Sequence, residues 1–170
     1  MATYLVLTVI GDDRPGLVEQ LANTVTANSG NWLESSMSQL AGKFAGILKI
    51  SVADDKADKL VADLQSLSDN LKLVIERVSG ETEVENKQMV TLNLVGNDRP
   101  GIVKEISAAL ASQGVNVEEL NTHCSPAPMT ADMLFTVKSH LKVPAGLDIE
   151  ALKNGLEDIA DDLIVEVSFD

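Results

Sequence analysis

The chain has 170 residues, with 26 acidic and 13 basic side chains and a formal net charge of −13. At 45% hydrophobic residues the composition is globular, and too apolar for a disordered acidic tail. Basic residues never cluster beyond two in any five positions, so direct nucleic-acid binding, which needs many Lys and Arg to neutralise phosphates, is not expected. A single cysteine, Cys124, leaves no internal disulfide and points to a reducing compartment. Neither a leader pattern nor an apolar run of membrane length is read, so a soluble, cytoplasmic protein without membrane association is expected.

In chain order, residues 4–10 form an apolar, β-rich run. The turn Gly11-Asp12-Asp13-Arg14-Pro15-Gly16 follows. Leu17, Val18, Leu21 and Val25 then fall on one helical face. Asp13 or Arg14 is predicted at the helix cap, with Pro15 at the first helical position, where its missing N–H costs nothing. Asn31-Trp32-Leu33 opens a second strand, and a turn at residues 41–43 leads to a third over 44–52. A second helix carries Leu60, Val61, Leu64, Leu67 and Leu71, and residues 72–78 close the half as a strand.

The second half repeats the first at a shift of 85 residues. Residues 96–101 read Gly-Asn-Asp-Arg-Pro-Gly, and nine of the 31 positions in 4–34 are identical to their counterparts in 89–119 without a gap. Strand 89–95 and the helix face Ile102, Val103, Ile106 and Leu110 follow the same order. Asn116-Val117 opens the next strand. A longer turn over 125–132 precedes a strand over 133–137, then a helix with Leu152, Leu156, Ile159 and Leu163, and a last strand over 163–169. Charge divides evenly, −6 over residues 1–85 and −7 over 86–170. Two copies are too few for a solenoid, so the reading is a duplicated domain, 1–79 and 89–170, joined by a polar linker over 80–88.

The order β-α-β-β-α-β, twice, predicts an α+β chain of two tandem ferredoxin-like units, each an antiparallel sheet with helices on one face. Leu5-Val6-Leu7 and Val9-Ile10 do not alternate. The uncovered faces are therefore expected to need a partner, and the two halves to pair edge to edge or face to face.

Each repeated turn delivers charged residues to a helix start, where free N–H groups and the positive dipole end favour an anion. Gly11 and Gly16 allow close backbone approach or positive φ. Arg14 can fork a carboxylate and Asp13 can accept an ammonium, which together suit a free amino acid. Turn, cap and helix-start roles also account for much of the same motif with no ligand at all.

The Gly-x-Asp-Arg-Pro-Gly turn, the Asn that follows its second Gly by 15 residues and the doubled β-α-β-β-α-β order resemble the ACT domain over nearly the whole chain. Residues 31–37 (Asn-Trp-Leu-Glu-Ser-Ser-Met), 114–122 (Gly-Val-Asn-Val-Glu-Glu-Leu-Asn-Thr) and 125–129 (Ser-Pro-Ala-Pro-Met) are similar, more narrowly, to the glycine cleavage system transcriptional repressor family. The resemblance implies a regulatory module binding an amino acid between paired domains, contacted by the first turn and helix start of one domain and the second strand of its neighbour. It nominates Asp12, Asp13, Arg14, Gly16 and Asn31, and Asn97, Asp98, Arg99, Gly101 and Asn116. It also implies action on a protein partner, a LysR-type activator, with glycine as signal and no DNA-binding domain, and a homo-oligomer such as a homodimer is expected. Position 12 departs from its repeat: Asp12 aligns with Asn97, and a second carboxylate disfavours a carboxylate ligand, so the two sites are expected to differ.

No catalytic residue, metal site or cofactor is expected. His123 and Cys124 are adjacent and point to opposite strand faces, too few ligands for a metal. His140 is placed near a turn, in solvent, and Ser35-Ser36 lacks a His for a triad. Asp54-Asp55 and Asp161-Asp162 read as a helix start and a solvated helix end, and Trp32 as a core or interface anchor. Two further readings remain: a ligand-free interaction scaffold, and a small acylphosphatase-like enzyme, for which no general acid or nucleophile is found.

Overall fold

The structure is a computed structural model that describes residues 1–78 and 87–169. The chain divides into two compact units, Met1–Glu83 and Val84–Asp170. The first runs β1 (Ala2–Asp12), α1 (Leu17–Ala27), β2 (Asn31–Leu40), β3 (Lys43–Ala53), α2 (Asp54–Gln65), a 3-10 turn (Ser66–Asp69) and β4 (Leu71–Val78). The second runs β5 (Lys87–Asn97), α3 (Ile102–Ser112), β6 (Asn116–Pro126), β7 (Met133–Pro144), α4 (Ile149–Glu157) and β8 (Ile164–Phe169). Both sheets are antiparallel, ordered β2-β3-β1-β4 and β6-β7-β5-β8. This is the expected doubled α+β architecture. Most of the linker segment lies outside the described residues, but Lys87 and Gln88 do not belong to it: they open β5, paired with Pro144 and Val143.

Each core lies between one sheet face and its two helices. Leu5, Leu7 and Val9 of β1 and Leu48, Ile50 and Val52 of β3 pack with Leu17, Leu21 and Val25 of α1 and with Ala57, Leu60 and Leu64 of α2. Leu92, Leu94, Ile106, Leu110, Leu141, Leu152 and Leu156 do the same in the second unit. Val18 and Val103, expected on the buried helix faces, are exposed: one residue beyond Leu17 or Ile102 is a 100° rotation away from the sheet. Leu71 stands in β4, and Ile159 and Leu163 lie beyond α4, because both second helices stop sooner than their apolar periodicity suggests. Strand β6 runs to Pro126, into the segment expected as turn, and β7 runs to Pro144.

Side chains point to opposite faces in turn along each strand, so Leu5, Leu7 and Val9 enter the core while the apolar Val6 and Ile10 stand on the open face. Away from the helices the two sheets differ. The first presents Tyr4, Val6, Ile10, Ile47 and Val74 beside Thr8, Lys49, Lys72 and Glu76; the second is the more polar, with Thr91, Asn93, Thr136, Lys138, His140 and Glu166 beside Val95, Leu134 and Ile164. The second open face is thus polar enough to be wet. His140 is half-buried inside β7, its ring Nδ1 3.2 Å from Thr91 Oγ1, and not in solvent beside a turn. Trp32 packs against the first core, and its ring N–H donates to Ser35 at 3.2 Å. Asp54-Asp55 does begin α2. The edge strands β2 and β6 each slip register by one residue, between Trp32 and Glu34 and between Val117 and Glu119.

Candidate ligand site

In both units the turn after the first strand enters its helix through a left-handed glycine, Gly16 at φ 90° and Gly101 at φ 88°. A Cβ there would meet nothing within 4 Å, so backbone conformation alone demands glycine. This corrects the expected caps. Gly16 and Gly101 hold the cap positions, the helices begin at Leu17 and Ile102, and Pro15 and Pro100 precede them. No side chain caps either helix, which leaves first-turn N–H groups and the positive dipole end available to an anion. Gly11 and Gly96 serve packing: an added Cβ would sit 2.7 Å from the Asn70 carbonyl oxygen and 2.3 Å from a Leu163 methyl respectively.

The first turn gathers Asp12, Asp13, Arg14 and Gly16. Asp12 ends β1 opposite Lys43 and forms an exposed ion pair with it. The Lys43 ammonium holds the Asp12 carboxyl below its ordinary range, with a smaller push from Arg14. The Asp13 backbone N–H donates to the Gly42 carbonyl at 2.9 Å and ties the turn to the β2-β3 hairpin. Arg14 makes no hydrogen bond or ion pair with any described residue. It borders a pocket of about 230 Å³ with Asp13, Gly16, Leu17, Val18, Glu19 and Phe44. A guanidinium, two carboxylates and an uncapped helix start, all exposed, therefore border an open space of a size suited to a small zwitterion.

The second turn gathers Asn97, Asp98, Arg99 and Gly101, with different partners. Arg99 is forked by Glu105 of its own helix: Nη1 donates to Oε1 at 3.1 Å, and Nη2 pairs with Oε2. The pair raises the Arg99 pKa and lowers that of Glu105. The Asn97 backbone N–H donates to Asp162 Oδ2 at 2.7 Å; Asp162 is exposed as expected, but it lies beyond the end of α4 at Glu157 and binds this turn. The Asp98 backbone N–H donates to the Met133 carbonyl at 2.8 Å. Partial desolvation, and then the Asp98 carboxylate, push the Cys124 thiol up.

Asn31 and Asn116 lie elsewhere. They pair with Ser51 and Lys142, whereas Asp12 and Asn97 pair with Lys43 and Leu134. About eight residues of β3 or β7, roughly 26 Å, separate each Asn from the turn of its own unit. The fold thus brings four of the five nominated residues of each half together and leaves the fifth at the other end of the sheet.

Four residues that shape the turns are not singled out by the sequence, Glu19, Lys43, Phe44 and Glu105, and Asp162 is expected there only as a solvent-facing residue. For Glu19 and Glu105 a signal existed. At the 85-residue shift Glu19 aligns with Lys104, and Gln20 with Glu105, two charge changes just past a run of identities. Lys43, Phe44 and Asp162 reach the turns only through strand register. Among the described residues no group of three or more His, Cys, Asp or Glu is placed to hold a metal, and no helix is long and apolar enough to cross a membrane.

Comparison with known proteins matches an ACT-domain family model to residues 3–77 and a second ACT-domain model to residues 84–161. A curated relative from Escherichia coli (strain K12), a glycine cleavage system transcriptional repressor, is 21% identical over 162 residues, covering 94% of this chain and 85% of the relative. The crystal structure of an unknown protein from Galdieria sulphuraria superposes with a TM-score of 0.87 at 25% identity, covering 100% of this chain and 99% of that one. The crystal structure of a candidate glycine cleavage system transcriptional repressor superposes with a TM-score of 0.70 at 18% identity, covering 100% and 98%, a likeness of fold. With a match over each half, the chain belongs to the ACT-domain family and carries two ACT domains in tandem.

Proposed function

We propose that this protein is a cytoplasmic, amino-acid-responsive regulator that acts by contact with a protein partner and not on DNA. The observation that carries the reading is the first turn. Arg14, without a partner among the described residues, stands with Asp13 and Glu19 around a pocket of about 230 Å³ at an uncapped helix start. Arg14 suits the carboxylate of an amino acid, and Asp13 or Glu19 its ammonium. The volume lies below the range of drug-sized ligands and fits a metabolite of a few heavy atoms. The pocket lining holds no Ser, Thr, Cys, His or Lys, which favours a binding role over catalysis.

Similarity to glycine cleavage system transcriptional repressors supports glycine as the effector and transcription as the process. The net charge of −13 supports a protein partner, for which a LysR-type activator is our candidate. Asn31 or Asn116 would join such a site only from the second strand of a neighbouring domain, and a homodimer is our candidate assembly. An effector that couples to partner binding by about 1–3 kcal/mol is sufficient for regulation. Calorimetric titration of the full chain with glycine and the other standard amino acids tests the reading. Saturable binding by at least one is expected, and no heat and no thermal shift with any of them would overturn it.

A further inference from the structure

The two turns share a hexapeptide pattern but hold different partners. In the second unit the Glu105 carboxylate lies on Arg99 in the two-point geometry that Arg offers a carboxylate. In the first unit the aligned residue is Gln20, which carries no charge, and Arg14 has no such partner among the described residues. The neighbouring position shows a second contrast. Glu19 lines the first pocket and can accept an ammonium, whereas its counterpart Lys104 would repel one.

From these contrasts we infer that only the first ACT domain takes the zwitterionic ligand, one molecule per chain. In the second, Glu105 occupies the carboxylate position from within, and Lys104 replaces one of the two ammonium acceptors, leaving Asp98 alone beside a like charge to the ligand's. The second turn is a closed copy of the first, held by its own side chain where the first awaits a solute. The inference rests on the amino-acid reading above and specifies which half carries it.

Titration of the full chain with glycine and the other standard amino acids, read for stoichiometry, tests it. One equivalent is expected. Arg14→Ala, with circular dichroism confirming its fold, is expected to weaken binding by about ten- to a hundredfold, the loss of a charge-assisted fork. Arg14→Lys, which keeps the charge but loses the fork, checks that the loss is not one of folding. The double variant Lys104→Glu/Glu105→Gln gives α3 the charges that Glu19 and Gln20 give α1 and is expected to raise the stoichiometry towards two. Two equivalents in the unmodified chain, unchanged binding in Arg14→Ala, or a folded double variant still at one equivalent would each overturn the assignment while leaving the amino-acid reading intact. No binding by the unmodified chain would instead overturn that reading itself, and the inference with it.

Discussion

The turns at Arg14 and Arg99 separate what a duplicated sequence conserves from what it leaves free. Both keep the left-handed glycine that admits the chain to its helix, because no L residue adopts that conformation without strain. Both keep the arginine. They differ in what answers its charge: the two-point grip of Glu105 in one, and only the longer-range pull of Asp12 in the other. A backbone requirement is thus duplicated intact, while the electrostatic setting around it turns on single residues one helical turn away.

The comparison can be tested first where the units are expected to agree. Leu7 and Leu92 are equivalent, fully buried positions. Leu7→Ala and Leu92→Ala are each expected to cost about 2–5 kcal/mol in urea denaturation, from lost burial and the cavity left behind. Losses that differ by more than that spread would show that the two cores do not carry equal weight. The next largest effect sharpens a difference. Asn28 is buried, donates to Asp63 at 2.8 Å and to the Thr24 carbonyl at 3.1 Å, and accepts from Lys59 at 2.9 Å. Asn28→Ala leaves these groups short of a partner and is expected to cost about 1–3 kcal/mol. At the aligned, partly buried Gln113 the same change is expected to stay within about 0.5 kcal/mol.

The smallest effect is on acid sensitivity. Arg99 lowers the pKa of Glu105, so the folded state holds this carboxylate ionised more firmly than the unfolded chain does. The stabilisation is therefore present above the ordinary carboxylate range, about 4.3 for Glu, and is lost as the pH falls through the lowered folded value. Arg99→Ala is expected to return the Glu105 midpoint towards that ordinary value in an NMR titration. An unchanged midpoint would show that the ion pair does not hold in solution.

Much of the fold was legible because the repeat fixes element order and because Leu5, Leu7 and Val9 or Leu17, Leu21 and Val25 follow the periods of strand and helix. What escaped was governed by geometry that periodicity does not carry. Val18 and Val103 are apolar yet turned from the core. Pro15 suits a helix start but is displaced from it by the left-handed Gly16. Of the candidate site, the turn residues were visible as a repeated motif. The Asp12–Lys43 pair depends on strand register, and the Asp162–Asn97 bond spans 65 residues, so neither leaves a local trace. The concern that Asp12 would repel a carboxylate ligand also changes once Lys43 is seen to neutralise it.

The one-residue slips after Trp32 and Val117 have a consequence of their own. A long, straight outer strand offers a ladder of open amide and carbonyl groups on which further copies can stack into fibrils. An extra residue bends the strand and increases its local twist. The same interruption recurs early in both β2 and β6, so neither of these two rims presents runaway cross-β growth with a flat template along its whole length.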